Sequence, residues 1–482
     1  MTWQSLLVLG VLGSLPLASS VPAEILARAT SAAPTRSHPT SQPHTSFIGT
    51  PTTTGALTAS SVGSGIPTGS VAPAATSYPS DGKLHSAQPA PFVPAGGVGT
   101  NGTIPVYNAK SDFDYESLAL ALYQEWVELD LFQDALRRFS EADFMAAGLT
   151  TDDRELIAFM AQQEVGHATM LSNILGSSAP QQCSYVYPYT SVQEFIDFAQ
   201  KVTRAGEAGA NGFLAHLDSR EAAILLTQTL TTESRQQLIF RQFEGLFPMT
   251  EWFEVGIPQS WAWTLLAPLI SSCPKNQTRL AWQNFPGLRI LNQPSPSSAS
   301  NGNNATGLNQ TTLPGVNSAR IPRVSGVAAS RANATSAAGA QCSPAVATRR
   351  PSPLSFPGRQ VALQWEAPGK PVGPNNSYIT TTQARGAKYV VWVSQLNVTY
   401  TPLRVNGNGN ATTGNTTNGN ATNGNLTSGF TTQPDLETFQ GDPAVNGTLF
   451  IAITDDDPFL TPFNLSLINT HVVAGPALYQ AG

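Results

Sequence analysis

The sequence predicts a mainly α fold: a four-helix bundle, preceded by a disordered N-terminal stalk and followed by a small β-rich C-terminal module. Three observations predict it. Four long segments repeat apolar residues at spacings of three and four, an inward carboxylate is available on each of them, and the composition changes abruptly on either side to Ser, Thr, Pro, Asn and Gly.

Residues 1–20 are expected to be a signal peptide. Leu6 to Ala18 is apolar yet too short to span a bilayer, and Ala18-Ser19-Ser20 offers small residues for cleavage, although the amino terminus is the only positive charge ahead of it. Residues 21–107 carry few charges and read as a disordered stalk open to O-glycosylation.

The bundle is expected over 108–290. Its first helix, Ser111 to Ser140, has the core stripe Leu118, Leu122, Glu125, Leu129, Phe132 and Leu136, so Glu125 stands where an apolar residue belongs. The second carries Glu164-Val165-Gly166-His167 on a face made of Leu156, Met160, His167, Leu171 and Ile174, which aims an acid and an imidazole into a core. In the third, Ser191 to Leu217, Glu207 is the single acid between Asp197 and Asp218. After a tight turn at Asp218-Ser219 the fourth, Arg220 to Glu244, sets Ala222, Leu226, Leu230, Glu233, Gln237 and Phe240 on one face. Trp252, Trp261 and Trp263 close the bundle by packing on it.

Burying a carboxylate is costly unless a cation or dense hydrogen bonding compensates, and a metal is the obvious cation here. With hairpins turning near 146 and 218, Glu125 and Glu164 lie about 21 and 18 residues from the first turn, Glu207 and Glu233 about 11 and 15 from the second. At about 1.5 Å per residue the mismatch within each hairpin is about 5–6 Å, which side chains absorb. Di-iron and di-manganese bundles use a Glu from each of two helices and a Glu-x-x-His from each of the others. This chain departs from that pattern: Glu233-Ser234-Arg235-Gln236 puts an amide where the second imidazole belongs, and amides bind transition metals less well. The metal-ligand candidates are therefore Glu125, Glu164, His167, Glu207 and Glu233, with Gln236 in place of the second histidine. A one-metal or empty site competes with a two-metal centre; no cofactor is certain, and iron and manganese are the candidates. His216 is read as packing or capping near a helix end, and Arg235 as an alternative neutralising partner for Glu233.

The stretch from Asp112 to about Phe285 resembles the ferritin-like domain of desiccation- and stress-related proteins, closest to the secreted fungal branch that includes stress-response, glucose-regulated and late sexual development proteins. Leu122-Tyr123-Gln124-Glu125-Trp126-Val127-Glu128-Leu129, Gln163-Glu164-Val165-Gly166-His167, Gly206-Glu207-Ala208-Gly209, and Thr232-Glu233-Ser234-Arg235-Gln236-Gln237 carry the resemblance. It continues through Phe240-Arg241-Gln242-Phe243-Glu244-Gly245-Leu246-Phe247-Pro248, and the segment from Gln395-Leu396-Asn397-Val398-Thr399-Tyr400 also looks like this branch. The resemblance implies a ferritin-like four-helix bundle. It brings no activity with it, since fold does not fix function.

Residues 291–352 read as a linker and 353–482 as the β-rich module, with an Asn/Gly-rich insertion at 405–430. Strands are expected at Val361 to Trp365, Tyr389 to Tyr400, Thr448 to Ile453 and Thr470 to Val473. Asp455-Asp456-Asp457 reads as an acidic surface turn rather than a calcium site. Three cysteines, Cys183, Cys273 and Cys342, allow one disulfide in an oxidising compartment; Cys183 with Cys273 is favoured because it would tie the connection between helices two and three to the segment after helix four. Glycosylation acceptors occur at Asn101, Asn276, Asn304, Asn309, Asn333, Asn375, Asn397, Asn410, Asn415, Asn420, Asn425, Asn446 and Asn464, none within the four helices.

A net charge of −6 supplies no basic field for nucleic acid, and no apolar stretch reaches membrane length. The expected location is extracellular or in the cell wall, with wall polysaccharide as a candidate partner and the oligomeric state open. Three functions fit: a secreted stress- or development-associated glycoprotein whose bundle is a scaffold with a degenerate or single-metal site; a di-iron or di-manganese oxidase or ferroxidase-like enzyme; and a wall matrix or adhesion glycoprotein.

Overall fold

The computed structural model describes residues 107–294 apart from 276 and 278, residues 353–406, 426–438 and 447–482, together with Lys83, His85 and two backbone pairs at 312–313 and 316–317. The expected signal peptide, nearly all of the stalk, most of the linker, most of the Asn/Gly-rich insertion, Cys342 and all acceptor asparagines except Asn375, Asn397 and Asn464 lie outside the described residues.

Each bundle helix begins at a hydroxyl. Ser111 caps α1 (Asp112–Arg138), Thr150 caps α3 (Thr151–Leu175) after the single-turn α2 (Glu141–Ala146), Ser191 caps α4 (Val192–Leu214), and Ser219 caps α5 (Arg220–Phe243). An N-cap hydroxyl satisfies a backbone N–H that has no partner inside the helix, a contribution of about 1 kcal/mol each. Asp114 extends this to the tertiary level, since its carboxylate accepts from the backbone N–H of Asp218 at 2.8 Å and of Ser219 at 2.9 Å. The start of α1 is thereby fixed beside the start of α5. At the other end Arg138 Nη1 donates to the Tyr189 carbonyl at 3.0 Å, which puts the end of α1 beside the entry to α4. The helices therefore run up, down, down, up, with one long crossover between α3 and α4.

That crossover is ordered by a spacing match. Tyr187 and Tyr189 lie two residues apart on extended chain, a rise of about 6.6 Å, while Asp130 and Asp134 are four apart on α1, a rise of about 6 Å. Tyr187 donates to Asp130 at 3.0 Å and Tyr189 to Asp134 at 2.5 Å, with Tyr185, Tyr187 and Tyr189 stacked in a row. Cys183 and Cys273 are joined in a disulfide, beside a short ribbon pairing Ser184–Tyr185 with Ile270–Ser272.

The exposed side of α3 differs from expectation. Leu156 is 43% exposed, and the inward stripe is Ile157, Met160, Ala161, Glu164, Ala168 and Leu171. Trp261 and Trp263, on α6 (Gln259–Leu266), are fully buried against the bundle, whereas Trp252 is half exposed.

The C-terminal module is a sandwich of two four-stranded antiparallel sheets. One has the order β4-β3-β7-β8, from Asn397–Pro402, Tyr389–Ser394, Thr448–Thr454 and Val472–Gln480; the other is β5-β6-β2-β1, from Arg404–Val405, Thr427–Thr432, Gln360–Trp365 and Leu288–Ile290. Strands β3 and β7 are nearly continuous apolar runs because their sheet is covered on both faces. Val391, Val393, Phe450, Ala452 and Leu478 join the bundle core, while Val390, Trp392, Ile451, Ile453 and Tyr479 face the second sheet. Arg204 reinforces the contact, its Nε donating to the Thr448 carbonyl at 3.0 Å.

Four expectations about the module need correction. Leu288–Ile290 is the sandwich's first strand rather than the end of the bundle, and Thr427–Thr432 is a core strand rather than insertion. Tyr389 to Tyr400 divides into two strands at Gln395, whose φ of 46° makes the turn. The strand expected at Thr470 to Val473 starts at Val472 and runs to Gln480, because a bulge opposite Ile451 and Ile453 absorbs Gly475-Pro476.

Candidate metal centre

The bundle brings Glu125 from α1 together with Glu164 and His167 from α3, with one ligand atom of each within 4.8 Å of the others. His167 Nδ1 lies 3.1 Å from Glu125 Oε2 and 3.0 Å from Glu164 Oε2, and Glu233 Oε1 on α5 is 3.8 Å from the same nitrogen. Gln236, one turn further along α5, donates its amide to Glu164 Oε1 at 2.5 Å and to Gln163 Oε1 at 3.1 Å. All five groups are buried.

Glu207 is held elsewhere. Its carboxylate accepts from Ser234 and from Arg204, and Arg204 also engages Glu251 and Glu254. Arg204 precedes Glu207 by one helical turn and takes it out of the cluster. Arg235 is exposed, so it does not neutralise Glu233; His167 is the cation that faces it. His216 is buried between the rings of Phe113 and Phe463, a packing role. Asp455 accepts from His471 and from the Arg385 backbone, so these carboxylate atoms serve the turn itself.

Two neighbours were not singled out from the sequence. Glu128, one turn after Glu125, is buried and interacts electrostatically with Glu125, Glu164 and Glu233; one oxygen accepts from Gln124 at 2.6 Å and the other has no partner among the described residues. It fits there because Gly206 opposite has no side chain: a Cβ would lie 2.7 Å from Glu128 Oε1. Its signal was present in Glu125-Trp126-Val127-Glu128, an acid repeated at helical spacing. The other is Thr232, whose Oγ1 lies 3.0 Å from His167 Nε2.

Four carboxylates and one imidazole in a buried space carry a net charge of −3 if every group ionises (four negative, one positive), which a protein interior does not tolerate without protons or a cation. Burial raises Glu125 to about 8 and holds Glu128 and Glu233 well above the ordinary carboxylate range. Burial opposes the charge on His167, but the Glu164 and Glu125 carboxylates outweigh it and raise that group well above 6.5. Glu164 goes the other way: burial would raise it, yet the His167 charge and hydrogen bonds from His167, Glu125 and Gln236 bring it below its usual value. The pocket thus favours a Glu164–His167 ion pair beside acids that hold their protons more tightly than usual.

The same donors suit a hard divalent cation. Two atoms bonded to one ion at about 2.1 Å are at most about 4.2 Å apart, so the 4.8 Å cluster closes on an ion with a small side-chain movement. Glu125, Glu164 and His167 would hold it, and the unpartnered oxygen of Glu128 gives a further acceptor. A bound iron or manganese ion would supply Lewis acidity and, for iron, one-electron chemistry. The chain's own part is to surrender the carboxyl and imidazolium protons when the cation enters and to keep bulk water out of a buried pocket.

Residues 112–246 match the ferritin-like domain. Over 406 residues the chain is 44% identical to Protein rds1 of Schizosaccharomyces pombe, covering 84% of this chain and 90% of that protein. The chain belongs to the ferritin-like family. The matched segment runs from the first residue of α1 to just beyond α5, so the family's bundle coincides with the helices that hold the site. Among the described residues, no helix of this ferritin-like chain is long and apolar enough to cross a membrane.

Proposed function

We propose that this chain is a secreted, glycosylated protein of stress response or late sexual development, whose ferritin-like bundle is a stable scaffold with a single-metal site. The observation that carries the metal reading is the Gln236 amide. At the place of a second imidazole it donates a hydrogen bond to Glu164, which occupies a carboxylate oxygen and offers no nitrogen lone pair. One imidazole and its two adjoining carboxylates then serve one ion. Secretion is supported by the apolar leader at Leu6 to Ala18, by acceptor asparagines outside the helices, and by the Cys183–Cys273 disulfide, a bond that persists in oxidising compartments. The stress and development assignment rests on the resemblance of the four helical motifs and the Gln395 to Tyr400 segment.

A second reading, a two-metal oxidase or ferroxidase, is favoured by one observation: Glu128 and Glu233 give the pocket two more acids than one ion needs. The two readings separate on protein purified from the medium of an expressing fungal host. Mass loss on deglycosylation and a new amino terminus near residue 21 are expected, with no more than one equivalent of transition metal and no fast oxygen uptake on ferrous iron. Two equivalents with rapid turnover would replace the scaffold by the oxidase, and intracellular retention without glycan would remove the secreted reading.

A further inference from the structure

We infer that Thr232 is the positioning residue of this site: it keeps a hydrogen on His167 Nε2, so that Nδ1 is the nitrogen presented to a metal. The inference deepens the single-metal reading and rests on it for the identity of the ligand, but not for the proton placement.

A threonine hydroxyl has one hydrogen to give and two lone pairs with which to accept. Thr232 Oγ1 lies 2.7 Å from the Thr229 carbonyl, a group that can only accept, and 3.0 Å from His167 Nε2. The hydroxyl hydrogen therefore goes to Thr229, and Oγ1 is left as an acceptor. Nε2 must be the donor. A chain Nε2–H to Oγ1, then Oγ1–H to the Thr229 carbonyl, results, anchored in the backbone of α5.

The other ring nitrogen sits between two carboxylate oxygens at 3.0 and 3.1 Å. Because Nδ1 faces the carboxylates, it is the nitrogen that would hold a divalent cation, with Nε2–H directed at Thr232. Metal-binding histidines generally donate their second N–H to such a partner, which orients the ring and raises its basicity. Here that partner is the residue immediately before Glu233, so α5 supplies both a carboxylate at the pocket and the group that aims the imidazole across from α3.

The test uses the full-length protein, labelled with nitrogen-15 in its histidines, and cobalt(II) as the probe metal. Thr232→Val removes the hydroxyl at nearly constant shape; Thr232→Ser keeps it. In the metal-free wild type, one-bond proton–nitrogen correlation should show His167 Nε2 protonated, its resonance assigned by His167→Gln. Thr232→Ser should retain that signal and bind cobalt(II) as the wild type does, whereas Thr232→Val should bind about 10- to 100-fold more weakly with an unchanged circular dichroism spectrum. An unprotonated Nε2 in the wild type, or equal cobalt affinity for Thr232→Val, would overturn the inference. Wild type that shows the Nε2 proton but binds no cobalt would instead sink the single-metal reading and leave the proton placement standing.

Discussion

Gln236 Nε2 donates to Glu164 Oε1 across the α3–α5 seam at 2.5 Å, so the residue in the second-histidine position consumes a ligand atom where imidazole would add one. The consequence can be reversed. Gln236→His should restore a second Glu-x-x-His facing the first and raise metal affinity about tenfold or more, since imidazole is the better donor. Isothermal titration with manganese(II) or cobalt(II) measures it. No gain would mean that positions 233 and 236 do not serve the same ion as Glu164 and His167.

Removing Glu164 takes away both a ligand and the main partner of the His167 charge. Glu164→Ala should lower the unfolding free energy by roughly 3 kcal/mol in urea titration, the usual scale for breaking a buried pair, and abolish metal binding. A variant as stable as wild type would show that the pair is solvated.

Stability of the metal-free protein should fall as pH rises from about 5 to about 8.5. Glu125 and Glu244 are both pushed to about 8 by burial, against an ordinary 4.5, so between those values the folded state holds more protons than the unfolded and loses stability with each step in pH. His167 acts in the same direction: its raised value gives stability that is complete below 6.5 and is lost as pH climbs through the folded value. Glu164 opposes them, its contribution being present above its usual value and lost in acid. Urea midpoints across this range check the slope. Glu244→Gln, at the separate Asp197–Lys201 cluster, should flatten it, and a rising midpoint would contradict the account.

The disulfide closes a loop between residues 90 apart in sequence. Restricting the unfolded chain over that length is worth roughly 2–4 kcal/mol. Reduction, or paired Cys183→Ser and Cys273→Ser, should lower the thermal midpoint while leaving the helical circular dichroism intact at 25 °C. An unchanged midpoint would mean the crossover is held entirely by its tyrosines.

The helices and most of the site were legible because a polar residue in an apolar stripe is a local signal. Glu125, Glu164, His167 and Glu233 each interrupt such a stripe, and each is buried. Glu207 could not be placed this way. Its helix is buried on nearly every side from Phe195 to Ala210, so being the lone acid says nothing about direction, and Arg204 decided it. Glu128 stands one turn from Glu125 yet outside the assumed stripe, and only the enclosure of α1 on nearly every side through Leu129 shows that an acid there is inside. In the sandwich, Leu288–Ile290 is too short for a periodic signal. Thr-Ser-Gly-Phe-Thr-Thr at 427–432 looks like the polar repeat before it until its pairing with β2 is seen.

Glu125, Glu164 and His167 are expected to hold one ion together. Anomalous diffraction at the manganese edge, from crystals of the protein soaked in manganese(II), tests it most directly. A single anomalous peak within about 2.2 Å of a Glu125 oxygen, a Glu164 oxygen and His167 Nδ1 is the predicted result. Two peaks about 3.5–4 Å apart, or a peak away from these three residues, would contradict it.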